Sequence, residues 1–252
     1  MTLSLEHLTP RDSPLARFDP RWKLAALVLA ILAFAALRTL AASAVAFGTA
    51  LTLARVGRLP RQWVRARLLL VGVALVPFLI ILPLTVEGPT TWEWGGLRFS
   101  AAGVVAAVAL ILKTLAIVTL ALVLVGTAPL HVTLLAAQRL RVPGLLVQIL
   151  LMSYRYVFVL ADEFDRIRTA LRVRGFRNRA NRHSYQTIGR VAGTLLVRGA
   201  ERAERVAQAM RCRGFDGRFR SLTEFRSRWP DGLAFAGIVA AALALVVWDT
   251  WA

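Results

Sequence analysis

The sequence predicts an all-α integral membrane protein, with about five transmembrane helices and a separate cytoplasmic block of long helices. Three observations carry that prediction. First, 57% of the 252 residues are hydrophobic and the mean hydropathy is positive. Second, the chain still holds 32 Lys and Arg against 14 Asp and Glu, a net charge of +18. A soluble basic protein rarely combines these extremes. A membrane protein does, because its apolar spans and cationic loops are separate parts of the chain. Third, the apolar residues fall in runs separated by stretches rich in arginine or tryptophan.

The elements follow in order. Residues 1–21 are polar and carry no cleavable-signal pattern, so they are expected to form a cytoplasmic N-terminal tail, with insertion through the first span itself. Residues 22–54 are apolar apart from Lys23 and the Arg38-Thr39 break. That run is too long for one span of about 20 residues, so it reads as two short helices, 22–37 and 40–54. A tilted or partly inserted hairpin is compatible with their length. Ala42, Ala46 and Ala50 recur every fourth residue. They form a small-residue face that lets helices approach closely, or reflect simple alanine-rich composition.

Residues 55–67 hold five arginines and no acid. Residues 68–84 form the next span, with Pro77 and Pro83 as expected kinks. In the following stretch, 85–100, Glu87, Glu93 and Arg98 leave a net charge of −1. WEWGGLRF alternates around Gly95-Gly96 and suits a small β-hairpin, while its tryptophans equally suit an interfacial belt. Residues 101–126 are another span with Lys113 near its middle. A buried cation is costly, so Lys113 either bonds neighbouring helices or has a functional part. The last apolar run is 233–248, flanked by Trp229, Asp231, Trp248 and Trp251.

The positive-inside rule sets the expected sidedness. The N-terminal tail and 55–67 lie inside, 85–100 outside, the segment after 126 inside, and the C-terminus outside. Between 154 and 228 there are 18 arginines against 7 acids, a net of +11. Residues 144–161 are apolar enough to span, but Gln148 and Arg155 interrupt them. A helix lying at, or dipping into, the cytoplasmic interface is expected there.

Inside the basic block a short pattern occurs twice. ALRVRGF at 170–176 returns as AMRCRGF at 209–215. Upstream, Leu160, Phe164, Ile167, Leu171 and Arg174 are spaced 4, 3, 4, 3, and Gly199, Ala203, Val206, Met210 and Arg213 repeat that spacing. Both apolar stripes therefore extend by one turn to end on an arginine, which is expected on the packing face; Arg172 and Arg211 point elsewhere. Glycine after the last helical residue supplies the left-handed turn that closes a helix. With Gly175 and Gly214 in that place, Leu171 is expected to meet Phe176, and Met210 to meet Phe215. A cation at a helix C-terminus is favoured by about 0.3–1 kcal/mol. The reading is two helix tips, each holding an arginine at a set angle, matched to a partner with two-fold symmetry.

These residues resemble a known family. FDPRWKL at 18–24, SYRYVFVLADEFDRI at 153–167, RVRGF at 172–176 and RGAERAERVAQAMRCRGFDG at 198–217 are similar to the transmembrane T component of energy-coupling-factor ABC importers, in its cobalt/nickel (CbiQ-like) branch. Members of that family usually carry Ala-Arg-Gly at both tips. Here the triplets are Val173-Arg174-Gly175 and Cys212-Arg213-Gly214, so the arginine and glycine are kept and the alanine is not. The resemblance implies transmembrane helices 1–4 in residues 22–126, a cytoplasmic coupling domain in 127–231 and a last transmembrane helix in 232–252. It implies a multi-pass protein of the cytoplasmic (inner) membrane with its N-terminus inside. It implies two cytosolic ATP-binding subunits, whose grooves receive Arg174 and Arg213, and a separate membrane subunit that captures the substrate. A vitamin importer of the biotin type is the alternative within the family.

Other chemistry is missing from the sequence. There is no P-loop, so the chain reads as a non-enzyme without a cofactor of its own. His7, His131, His183 and Cys212 are scattered, without metal-ligand spacing. One cysteine allows no internal disulfide. A membrane-anchored binder of nucleic acid or acidic lipid is the reading from another class, yet no aromatic stacking platform or nucleic-acid fold signature accompanies the +11 block, so nucleic acid is not an expected partner. A stand-alone channel would need more polar residues within the spans.

Overall fold

The structure, a computed structural model, describes residues 13, 15, 18–86, 90–94, 97–216 and 229–251, with the backbone alone over 90–94 and 97–99. Most of the N-terminal tail and the Gly95-Gly96 turn lie outside the described residues. In chain order the elements are α1 (Pro20–Ala36), α2 (Leu40–Val56), α3 (Arg61–Thr85), β1 (Thr90–Trp94), β2 (Leu97–Ser100), α4 (Ala101–Thr127), α5 (Leu130–Arg139), α6 (Gly144–Val173), α7 (Arg182–Cys212) and α8 (Trp229–Trp251). Helices α3, α4, α6 and α8 are long and apolar enough to cross a membrane, and α2 is a shorter apolar helix. The chain is thus an all-α membrane protein carrying one small hairpin. It divides into two compact units, residues 1–140 with 223–252, and residues 141–222.

In the first unit, the Arg38-Thr39 break splits the long apolar run into two helices of 17 residues each. At 1.5 Å per residue each is about 25 Å long, short of a bilayer core of about 30 Å. α1 starts on Asp19, whose carboxylate accepts the Arg21 N–H at 3.0 Å, with Pro20 at the first helical position. α2 starts on Thr39, whose hydroxyl accepts the Ala42 N–H at 3.3 Å. The basic stretch 55–67 is not a loop. α2 runs to Val56 and α3 starts at Arg61, leaving only residues 57–60 between them. Arginine is a good helix former, so charge alone does not end a helix. α3 continues through Pro77 and Pro83. β1 and β2 pair antiparallel, with Trp94 opposite Leu97, as the hairpin reading of this stretch expects.

The core of this unit lies between α1, α2 and α4. Ala42, Ala46 and Ala50 are fully buried and cluster with Leu27, Phe34, Ala116, Leu120 and Val123. The every-fourth-residue alanines are therefore a packing seam. At the α3–α4 join the backbones come closer still. A Cβ added to Gly103 would lie 2.6 Å from the Pro83 Cα, so only glycine fits there.

The helix ends of this unit are tied to one another. The Lys23 ammonium is buried and donates to the carbonyls of Leu15 and Thr127, each at 3.2 Å, joining the start of α1 to the end of α4. Trp22 meets Phe235 edge-on at 5.1 Å, placing the start of α8 at the same end. Lys113 donates to the Ala35 and Leu37 carbonyls, at 3.3 and 3.0 Å. These are carbonyls that the end of α1 leaves without helical partners, so Lys113 is a structural cap. The Asp249 carboxylate accepts the N–H groups of Arg38 and Thr39, at 2.7 and 2.8 Å, and the Thr39 hydroxyl. Hence α1 and α8 run the same way and α4 runs the opposite way, as alternating spans require.

Candidate functional site: the arginine-tipped helix pair

The second unit is built on α6 and α7, of 30 and 31 residues. The uncertain stretch 144–161 is the first half of α6, which passes through Gln148 and Arg155 without a break. α7 starts on Asn181, whose side chain accepts the Ser184 N–H at 2.8 Å, while the Ser184 hydroxyl accepts the Arg179 N–H at 3.2 Å. This interlocked cap buries Ser184 and gives the connection between the helices a definite form.

Both helices end in the same turn. At the end of α6, Gly175 has φ +76°, its N–H bonds the Arg172 carbonyl, and the Phe176 N–H bonds the Leu171 carbonyl, both at 3.0 Å. At the end of α7, Gly214 has φ +74°, its N–H bonds the Arg211 carbonyl, and the Phe215 N–H bonds the Met210 carbonyl, again at 3.0 Å. This is the Schellman hydrogen-bond pattern at both ends. Its positive φ is easily reached only without a Cβ. Arg174 and Arg213 are the C-cap residues in the two turns. Both side chains are exposed. Leu171, Phe176, Met210 and Phe215 are half-buried, and the Phe176 ring lies 6.3 Å from that of His183.

The two helices meet at Leu160 and Gly199. A Cβ built on Gly199 would lie 3.9 Å from the Leu160 side chain, and beside this point Glu163 pairs with Arg198. The meeting residues are themselves 39 positions apart, the offset of the repeated motif. Each capped arginine therefore stands 14 residues beyond the crossing (174 − 160 and 213 − 199). From the crossing backwards along α6 and forwards along α7 the helices enclose an open apolar groove of about 860 Å³, with Leu145, Ile149, Met152, Tyr156, Val206 and Met210 in its walls. The first half of α6 thus lies alongside the last half of α7, and the two tips belong to opposite ends of the pair.

The stripe reading needs correction in two respects. On α7, Gly199, Ala203, Val206 and Met210 do line the groove, but Arg211 lines it too and Arg213 does not. Arg213 is the cap, where the chain leaves the helical path. On α6 the groove uses the residues before Leu160; Phe164, Ile167, Leu171 and Arg174 lie beyond it. Neither arginine is on the packing face. A second, smaller cavity on Val159, Glu163, Arg198, Glu201, Arg202 and Arg205 is strongly charged. Nothing local in the sequence signals the Glu163–Arg198 pair, whose members are 35 residues apart. Among the described residues no three His, Cys, Asp or Glu side chains gather as metal ligands.

The profile of a family described as "Cobalt transport protein" (CbiQ) matches residues 11–225. The chain is 31% identical over 128 residues to the cobalt transport protein CbiQ of Rhodobacter capsulatus, covering 51% of this chain and 52% of that protein. It is 28% identical over 189 residues to the nickel permease LarQ of Lactiplantibacillus plantarum, covering 75% of this chain and 62% of that protein. It is also 30% identical over 102 residues to an uncharacterized protein of Methanocaldococcus jannaschii, covering 40% and 37%. The matched stretches span about half the length of these relatives.

Proposed function

The chain belongs to the cobalt transport protein (CbiQ) family, and on that premise we propose that it is the transmembrane coupling subunit of an energy-coupling-factor importer for cobalt or nickel ions. In this reading the first unit sits in the cytoplasmic membrane with the N-terminus inside, and residues 127–231 act as the coupling domain. Arg174 and Arg213 each enter a groove on one of two ATP-binding subunits. ATP hydrolysis takes place on those subunits, and a separate membrane subunit captures the ion. The observation that supports the reading best is the pair of identical glycine-closed tips, each set 14 residues beyond one crossing. Two equivalent ends on one chain suit two equivalent partner subunits. The exposure of both guanidiniums agrees with it, since a docking arginine has to be reachable.

The chemistry of the tip is specific. A guanidinium offers a planar fork of donors to carbonyls or carboxylates, which a lysine cannot copy. An arginine at the centre of an interface typically costs about 2 kcal/mol or more when truncated. The double change Arg174→Ala with Arg213→Ala is expected to release the ATP-binding subunits on co-purification and to abolish ATP-driven cobalt uptake in vesicles. The protein should still reach the membrane with unchanged helix content. Arg→Lys should rescue in part. Full uptake by the double variant, or equal damage from Arg172→Ala with Arg190→Ala, would overturn the assignment. Arg211 is not a suitable control, because it lines the groove.

A further inference from the structure

The groove between α6 and α7 leaves apolar side chains uncovered. Leu145 and Ile149, in its walls, are 67% and 52% exposed. A contiguous apolar surface of this kind marks a binding site. At about 860 Å³ the groove falls within the size range of small-ligand sites. It is a trough, with Gly199, Ala203 and Ala207 along its α7 side. Met152 and Met210 are in its lining, and methionine adapts to an occupant without a fixed shape. α6 is itself long and apolar enough to cross a membrane, so the groove is built on an element within reach of lipid. There the apolar, flexible occupant always at hand is an acyl chain.

The charges of the groove select the kind of lipid. Arg202 and Arg211 line it, and among the described residues no acid does. The two arginines differ in place. Arg202 is 3 residues beyond Gly199 of the crossing (202 − 199), and Arg211 is 12 beyond it (211 − 199). Arg202 and Leu160 also line the smaller charged cavity, so the two cavities adjoin at the crossing. That cavity adds Arg198 and Arg205, with Glu163 and Glu201. Glu163 is paired with Arg198, which leaves Arg202 and Arg205 against Glu201, a net positive charge. Among the described residues neither Arg202 nor Arg205 has an ion-pair partner. The site therefore runs from a cationic end at the crossing to apolar walls farther out. A phospholipid with an anionic headgroup has the matching polarity. Its phosphate suits a forked guanidinium, and basic pockets between membrane helices hold such headgroups.

We propose that the α6–α7 groove holds one anionic phospholipid, with an acyl chain along the trough and its phosphate on Arg202, joined by Arg205. The site needs a membrane around the chain but does not depend on the coupling role proposed above.

The test uses the full chain in neutral detergent, titrated with short-chain phosphatidylglycerol, phosphatidylcholine, laurate and inorganic phosphate, and read by native mass spectrometry and by the unfolding midpoint. The wild type should hold one phosphatidylglycerol in preference to phosphatidylcholine, and that lipid should raise its midpoint. Arg202→Gln should weaken phosphatidylglycerol binding about fivefold and leave phosphatidylcholine binding unchanged. Ala203→Phe, which fills the trough, should weaken both and abolish the rise in midpoint. Without lipid neither change should lower the midpoint, because both side chains are exposed. Should Ala203→Phe fail to fold, the loss of headgroup preference in Arg202→Gln decides alone. Arg211→Gln, far from the crossing, and Arg190→Gln, outside the groove, should change little. Equal loss from either of them would overturn the proposal, as would an Ala203→Phe variant that folds and binds lipid like the wild type. Displacement of phosphatidylglycerol by an equal concentration of laurate or inorganic phosphate would also overturn it. If Ala203→Phe keeps its lipid but loses a partner subunit on co-purification, the groove is a bed for protein and the proposal fails.

Discussion

The two units differ in what reaches their helix ends. In the membrane unit, three ends are tied by a charged side chain of another element, in addition to the local caps that Asp19 and Thr39 supply. Lys113 covers the last carbonyls of α1, Lys23 reaches a carbonyl at the end of α4, and Asp249 covers the first N–H groups of α2. In the second unit the ends of α6 and α7 close themselves with a glycine turn, and the neighbouring arginine is spent on nothing internal to the turn. The chain's lysine usage follows the same division. Its only two lysines, Lys23 and Lys113, are both bonded to carbonyls, and every other basic residue is arginine. A compact ammonium suits two carbonyls in a tight space, whereas a broad fork suits a surface met by a partner. An end closed by a neighbour holds the bundle together; a self-closed end is left available.

That contrast can be broken by experiment. The largest expected effect is on the self-closed ends. Arg174→Ala with Arg213→Ala should remove uptake while leaving the unfolding midpoint in detergent unchanged, since no described contact in the fold depends on either guanidinium. A large drop in the midpoint would mean that the tips are structural after all.

Next come the lysines. Lys113→Met and Lys23→Met keep the aliphatic stem but leave two carbonyls each without their donor. An unsatisfied buried polar group costs about 1–3 kcal/mol, so each change should lower thermal stability by several degrees in a detergent melt. Uptake per folded molecule should stay near normal. An uptake defect with normal stability would instead give Lys113 the functional part that its sequence position left open.

Smaller effects follow. Gly175→Ala and Gly214→Ala put a Cβ into the left-handed turn, at about 1–2 kcal/mol of local strain each. The tips should fray and amide exchange should quicken at 172–176 or 211–215, with uptake reduced but present. Slower exchange there would show that the turn is not held by glycine. The smallest effect is expected from Asp249→Ala, which removes a helix cap worth about 1 kcal/mol. It should be visible as a modest drop in midpoint and as easier proteolysis near Arg38.

Much of this was readable in the chain. The Arg38-Thr39 break, the pairing of 90–94 with 97–100, the alanine seam and the glycine-closed backbone at 175 and 214 all follow from local rules, in which a residue's neighbours fix its conformation. What was not readable depends on distant residues. Asp249 and Thr39 are 210 positions apart, and no periodicity links them. The packing face differs from the predicted stripes for a related reason. An apolar stripe says which face of α6 is sticky, but α6 is 30 residues long, and only the crossing decides which half of the face is covered. Arg211 entered the groove because its lining on α7 is wider than a single 4, 3 stripe throughout, taking in Arg202, Ala207 and Arg211 beside Ala203, Val206 and Met210.

The crossing also has a mechanical meaning. If the two helices rock about the point where Leu160 meets Gly199, the stretches to Arg174 and Arg213 are two arms of equal length, 14 residues apiece. At 1.5 Å per residue each arm is about 21 Å, so a rocking of about 10° carries each tip through about 4 Å, near the width of a side chain. Equal arms give equal travel when the two helices rock by the same angle. A pair of rods crossing off-centre would give its two tips unequal travel; here the two arms are matched.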